Sequence, residues 1–135
     1  MYPGVPEGFE PFPMDQGFTN HIGPLYWRID KGVGVMGFVV LEIHLNPADI
    51  CHGGMMMTLM DMAVGMNVQL AAKTEVFSPT IQMSYDFLQP AYEGQWLVSE
   101  IDFRHTTRRL GFASGLMVGK SDSQILQQPF LLVKP

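Results

Sequence analysis

Cysteine is almost missing from this chain: Cys51 stands alone. That excludes an intrachain disulfide and fits a reducing cytoplasm, so the thiol reads as a small buried filler. Basic residues are scarce too, eight Lys and Arg against thirteen Asp and Glu, for a net charge of −5. Such a balance gives no general attraction to nucleic acid or to an anionic membrane. Charged residues make up 16% and hydrophobic ones 47% of the 135 residues, which fits one globular domain able to bury a core without staples. No internal repeat or low-complexity segment is present. Met1 to Gly17 lacks the basic start and apolar run of a signal peptide. With four prolines and three glycines it reads as a flexible N-terminal arm, leaving residues 18–135 as a single domain, expected in the cytoplasm.

What the chain does have is concentrated between Asn46 and Ala72. Asn46-Pro47-Ala48-Asp49 is turn chemistry, His52-Gly53-Gly54 follows, and Met55 to Ala72 is built of good helix formers. The helix is apolar almost all round, so other structure should wrap it. A membrane span of this length is conceivable, but an intramembrane Asp61 is costly. The few small or polar residues, Gly54, Thr58, Asp61 and Gly65, are spaced four, three and four apart and form one stripe. An ionised carboxylate in that setting must be paired, hydrated or used.

Gly53 and Gly54 open the helix, where unpartnered N–H groups and the helix dipole suit an oxyanion or a polarised carbonyl. Gly53 and Asp61 are eight residues apart, ~12 Å along the axis at ~1.5 Å per residue. A base must come within ~3 Å of its proton or act through one water. The two groups of one chain cannot serve one reacting atom. If both are catalytic, one comes from a second copy, which a two-fold dimer supplies twice over.

Around the helix the pattern is that of strands. Leu25–Asp30, Val35–Leu45, Thr80–Leu88, Gln95–His105, Leu110–Gly119 and Ile125–Val133 carry the signal, several with period-two alternation. Phe18–Gly23 reads as a helical turn, Thr106–Arg109 as a hairpin tip and Ser121-Asp122-Ser123 as a turn. Gly32 to Gly37 formally matches GxGxxG, but a strand follows where a dinucleotide site needs a helix, so it reads as a hairpin turn. A single apolar helix among antiparallel strands is buried when a curved sheet wraps it. The expected class is therefore α+β, the hotdog fold.

Asn46, His52-Gly53-Gly54 and Asp61 at these spacings resemble the hotdog-fold acyl-CoA thioesterases of the phenylacetate-degradation (PaaI-like) branch. The likeness runs from about Phe18 to the C-terminus. It implies hydrolysis of an acyl-CoA or related thioester, with no metal and no cofactor, in a homodimer or a dimer of dimers. In such enzymes the N–H at Gly53 would polarise the carbonyl, aided by Asn46, while His52 orients the substrate or leaving group. Asp61 of the other subunit would act as base or nucleophile, and Thr80 would orient the attacking water.

Each residue also has a plainer reading. His52 is able to cap the helix, Asp61 to take a hydrogen bond from Thr58 or Asn67, and Thr80 to serve as a good strand former. Gly54 and Met55 beside the turn, and Arg104, Arg108 and Arg109 in the basic cluster, are the candidates for binding substrate and coenzyme A phosphate; with Lys120 these arginines make half of the chain's basic residues. Metal binding by His44, Cys51 and His52 lacks a fourth ligand. Two alternatives stay open: a non-catalytic acyl-CoA sensor, which has no need of Asp61, and a hotdog hydratase or dehydratase, whose His-plus-acid pattern is not seen.

Overall fold

The structure is a computed structural model describing residues 1–13, 17–121 and 124–130, with side chains through residue 119. Six antiparallel strands form one sheet in simple sequence order: β1 (Glu10–Pro11), β2 (Tyr26–Asp30), β3 (Val33–Val39), β4 (Trp96–Thr106), β5 (Gly111–Ser121) and β6 (Gln124–Phe130). A short helix α1 (Gly17–Ile22) precedes β2, and the long helix α2 (Gly53–Ala72) lies between β3 and β4. This is the hotdog architecture expected from the sequence. Residues 122–123 of the expected turn and the last strand beyond Phe130 lie outside the described residues, as does the side chain of Lys120.

Alternation along each strand sends one set of side chains to α2 and the other away from it. Met36, Phe38, Val40, Leu97 and Met117 pack with Met55, Met56, Leu59, Met60 and Ala63 of the helix in the main core. The opposite face is also apolar, and the first residues of the chain lie on it. Phe9 is buried against Trp96, ring centroids 5.0 Å apart, with the Arg28 guanidinium 4.7 Å above the Phe9 ring. Trp96 lies so close over Gly37 that a Cβ there would overlap its ring. Glycine therefore fits that strand position because the indole occupies the side-chain space.

Three segments differ from the sequence expectation. The β2–β3 hairpin turns on Lys31 and Gly32, both at positive φ (50° and 78°), a two-residue turn matched to strand twist, while Gly34 and Gly37 belong to β3 itself. The strand expected to reach Leu45 stops at Val39, and Glu42–His44 winds into a 3-10 turn. His44 explains the break: its Nδ1 accepts from Leu41 N–H at 2.9 Å and its Nε2 donates to the Ile22 carbonyl at 2.7 Å, fixing the neutral ring and tying α1 to this turn. Both bonds bury the imidazole, and burial lowers its pKa from the usual 6.5. Thr80–Leu88, expected as a strand, joins no strand of the described sheet. A strand needs a neighbouring ladder, and in this chain β3 pairs directly with β4.

β3 and β4 pair only from Gly37–Val98 to Val39–Trp96, and then they part. Two buried side chains satisfy the backbone in the gap. Ser99 Oγ accepts from Met36 N–H at 3.0 Å. Asn67, fully buried on α2, accepts from Gly34 N–H at 3.0 Å and donates to the Gly34 carbonyl at 2.8 Å. The helix thus stands in for a missing strand, which fixes α2 in rotation and height against the sheet.

Candidate active site

The turn before α2 is built by Asn46. Its Oδ1 accepts from Ala48 N–H at 2.9 Å and Ile50 N–H at 3.4 Å, a side-chain brace for a loop in which Asp49 sits at φ 58°. The loop is anchored at its end by His52 N–H to the His44 carbonyl and Cys51 N–H to the Ala91 carbonyl, both at 2.7 Å. Cys51 is buried, and loss of hydration pushes its thiol up to about 12, so it stays protonated and inert. Of the three residues weighed and set aside as metal ligands, His44 has both ring nitrogens committed.

His52 caps the helix: its Nδ1 accepts from Gly54 N–H at 2.8 Å, and its carbonyl takes Met55 N–H at 3.0 Å and Met56 N–H at 3.4 Å. One residue therefore engages three of the four amides that open a helix, and the Gly53 N–H is not among them. The Phe87 ring lies directly over Gly53, where an added Cβ would come within 2.7 Å of it. Gly53 combines a first-turn amide with no room for a side chain. Gly54 is exposed beside it, whereas Met55 is buried in the main core.

Two turns further along, Asp61 is half-buried on the stripe that faces away from the sheet. The donors considered for a purely structural role are both occupied elsewhere. Thr58 Oγ1 bonds back to the Gly54 carbonyl at 2.8 Å, and the Asn67 amide serves Gly34 and Ala63. The Thr80 hydroxyl instead donates to Asp61 Oδ1 across nineteen residues of sequence. A chain folded so that one exposed hydroxyl meets the lone helix carboxylate joins two residues singled out from the sequence.

Thr80 also stands in the wall of a cavity of about 710 Å³ running along the second half of α2. Gly65, Val68 and Ala72 form its floor, and the β4–β5 hairpin brings Arg108 and Arg109 to it. Arg104 is not part of it; its Nη1 donates to the Gly32 carbonyl at 2.8 Å. The described residues thus bring Thr80 onto Asp61 and set Arg108 and Arg109 on the same cavity as Thr80, while Asn46, His52 and Gly53 form a separate group at the start of the helix. The two groups sit ~12 Å apart along one helix. Phe87 was not singled out in the sequence, and Asn67 and His44 were weighed only for other roles, because nothing local in sequence marks a ring over a glycine or an amide filling a sheet.

A curved antiparallel sheet laid against one long central helix defines the hotdog class of proteins. Within it, a family model described as the Thioesterase superfamily matches residues 48–125, more than half of the chain, and the protein belongs to that family. A candidate esterase of Pseudomonas aeruginosa, PA0474, is 29% identical over 111 residues, covering 82% of this chain and 83% of that one. The E. coli PaaI protein, from the phenylacetic acid degradation operon, superposes with a TM-score of 0.61 at 21% identity, over 78% of this chain and 75% of that one. A Streptococcus mutans protein solved with acetyl-CoA superposes equally well, TM-score 0.61 at 20% identity, over 78% of this chain and 85% of that one. Among the described residues, no helix is long and apolar enough to cross a membrane.

Proposed function

We propose that this protein hydrolyses acyl-CoA or closely related acyl thioesters at a site shared between two copies of the chain. The observation that carries the reading is the Thr80–Asp61 hydrogen bond on a helix whose own Gly53 amide is too distant to meet the same carbonyl. Family membership supports thioester hydrolysis in general, and the acetyl-CoA bound to the Streptococcus mutans neighbour supports a coenzyme A thioester in particular.

In this mechanism the thioester oxygen rests on the Gly53 N–H of one copy, with the positive end of α2 behind it. Asn46 and His52 shape that pocket, and the imidazole Nε2, unused by the cap, faces the leaving group. Asp61 of the other copy attacks the carbonyl carbon itself or takes a proton from a water held against Thr80. In the first case the C–S bond breaks to give an acyl–Asp61 anhydride, which water then hydrolyses, one proton of that water going to the thiolate. In the second the water adds, the C–S bond breaks and the proton held on Asp61 passes to the thiolate, so that either route releases free acid and thiol. Arg108 and Arg109 bind its phosphates. Exposed Val76, Phe77, Ile81 and Leu88, at 70, 80, 72 and 58% of full accessibility, favour a homo-oligomer that would cover them.

The test is thiol release from a panel of acyl-CoAs by the wild-type protein and by Asp61→Asn. Turnover on at least one thioester, abolished in the variant, is expected. Wild-type protein that binds acyl-CoA without cleaving it would instead identify a sensor.

A further inference from the structure

Gly65 is the one glycine of α2 past its first turn, and nothing among the described residues gives it a structural reason to be glycine. Its φ is helical, so no unusual backbone is needed. A side chain there would have met nothing within 4 Å among the described residues. Gly34, Gly37 and Gly111 are different, since Met66, Trp96 and Val68 respectively fill the space a Cβ would take. Interior glycine is among the poorest helix formers, so alanine would suit the helix better. What the missing side chain does open is the floor of the 710 Å³ cavity, one turn beyond Asp61 on the same helix face.

We infer that Gly65 is a specificity-determining residue, holding open a channel for the phosphopantetheine arm of the thiol half of the substrate. This rests on the thioesterase reading of the Asp61 site. Three features of the channel fit that arm. It starts at Thr80, which touches the carboxylate. Its length suits the arm: Ala72 is eleven residues from Asp61, ~16 Å along the axis. An extended chain advances about 1.2 Å per bond, so the about thirteen bonds from sulfur to phosphorus span a similar distance. Its lining suits the arm too. Apolar Val68, Phe77 and Ile81 in the lining suit its methylenes, Thr74 and Thr106 bring hydroxyls that can meet its amides, and Arg108 and Arg109 supply charge for a phosphate. A plain acyl chain would use the apolar lining but leave the guanidinium groups without a partner.

Coenzyme A and an acyl carrier protein share this arm, so the same acyl group is presented on coenzyme A, on phosphopantetheine and on ethanethiol. Gly65→Leu should raise KM at least tenfold for the first two, about 1.4 kcal/mol of lost binding, with less than a twofold change for the S-ethyl ester. Calorimetry with free coenzyme A should show a matching loss of affinity, and the melting temperature and subunit number should hold or, for melting, rise. The lower KM of the two long thiols identifies the carrier. An equal loss on the S-ethyl ester, a changed subunit number, or no loss on any thioester would overturn the inference. If the wild-type protein cleaves none of the thioesters, the hydrolase reading falls by itself. Coenzyme A binding then decides: affinity lost in Gly65→Leu upholds the channel, and no binding by the wild-type protein refutes it.

Discussion

Replacing Asp61 by Asn keeps the shape of the side chain and removes its charge, and the structure sets the scale of both consequences. The Asn oxygen can still accept from Thr80, so a charged hydrogen bond of ~1.5–3 kcal/mol becomes a neutral one of ~0.5–1.5. Asp61 is half-buried and Thr80 exposed, so water screens part of that difference, and relief of desolvation offsets more. The net change in stability should stay under ~1 kcal/mol, a melting shift of no more than about 5 °C. Activity should respond on another scale. Loss of a positioned base costs at least ~10²-fold in kcat, about 2.7 kcal/mol in the barrier. Thr80→Val removes the donor and leaves the charge, and should lower kcat with little change in KM. Thiol release and thermal unfolding measured on the same preparations separate the cases. Near-wild-type turnover in Asp61→Asn, or a collapse of stability with surviving activity, would refute catalysis by this carboxylate.

Asn67→Ala should destabilise the fold by about 3 kcal/mol, since it leaves the buried Gly34 N–H and carbonyl without their partner; urea unfolding measures it, and a change under about 0.5 kcal/mol would contradict the bridging role. His44 is held neutral with its pKa below 6.5, so the unfolded chain binds more protons than the folded one just below that pH. Its contribution to stability is complete above about 6.5 and is lost as pH falls from there toward the folded pKa. Unfolding midpoints of wild type and His44→Gln should therefore converge on acidification, and parallel curves would dismiss the latch. Arg108→Ala should raise KM for an acyl-CoA and leave the S-ethyl thioester of the same acid unaffected; equal effects on both would point to distortion of the cavity.

The helix, the glycines that open it and the carboxylate that interrupts it were legible in the sequence because their signals are local. Consecutive glycines after His52, a run of helix formers and one interrupting carboxylate are read without knowing the sheet. Thr80 was legible only through resemblance, and the fold adds the reason for it, a hydroxyl brought onto Asp61 from nineteen residues away. The failures are non-local. Alternation through Val39, Leu41 and Ile43 signals a strand to Leu45, but a buried imidazole at His44 claims the Leu41 amide and turns the chain. The same alternation in Thr80–Leu88 signals a strand that does not form, because alternation says nothing of whether a ladder partner lies beside it. Arg104 sits in the same basic cluster as Arg108 and Arg109, yet strand geometry sends it to the β2–β3 turn. Similarly, Met55 neighbours the glycines in sequence while helix periodicity turns it into the core.

The shared site is open to a complementation assay. Asp61→Asn chains and Gly53→Val chains are each expected to be inactive, the second because any side chain at Gly53 meets Phe87 and covers the amide. After the two are mixed and subunit exchange is verified by mass, half of the dimers are mixed, and one of their two sites pairs an intact Gly53 with an intact Asp61. Thiol release should return to about a quarter of the wild-type rate per chain, as two-fold symmetry requires. A mixture that exchanges fully and stays inactive would show that Gly53 and Asp61 of different copies do not act on one thioester.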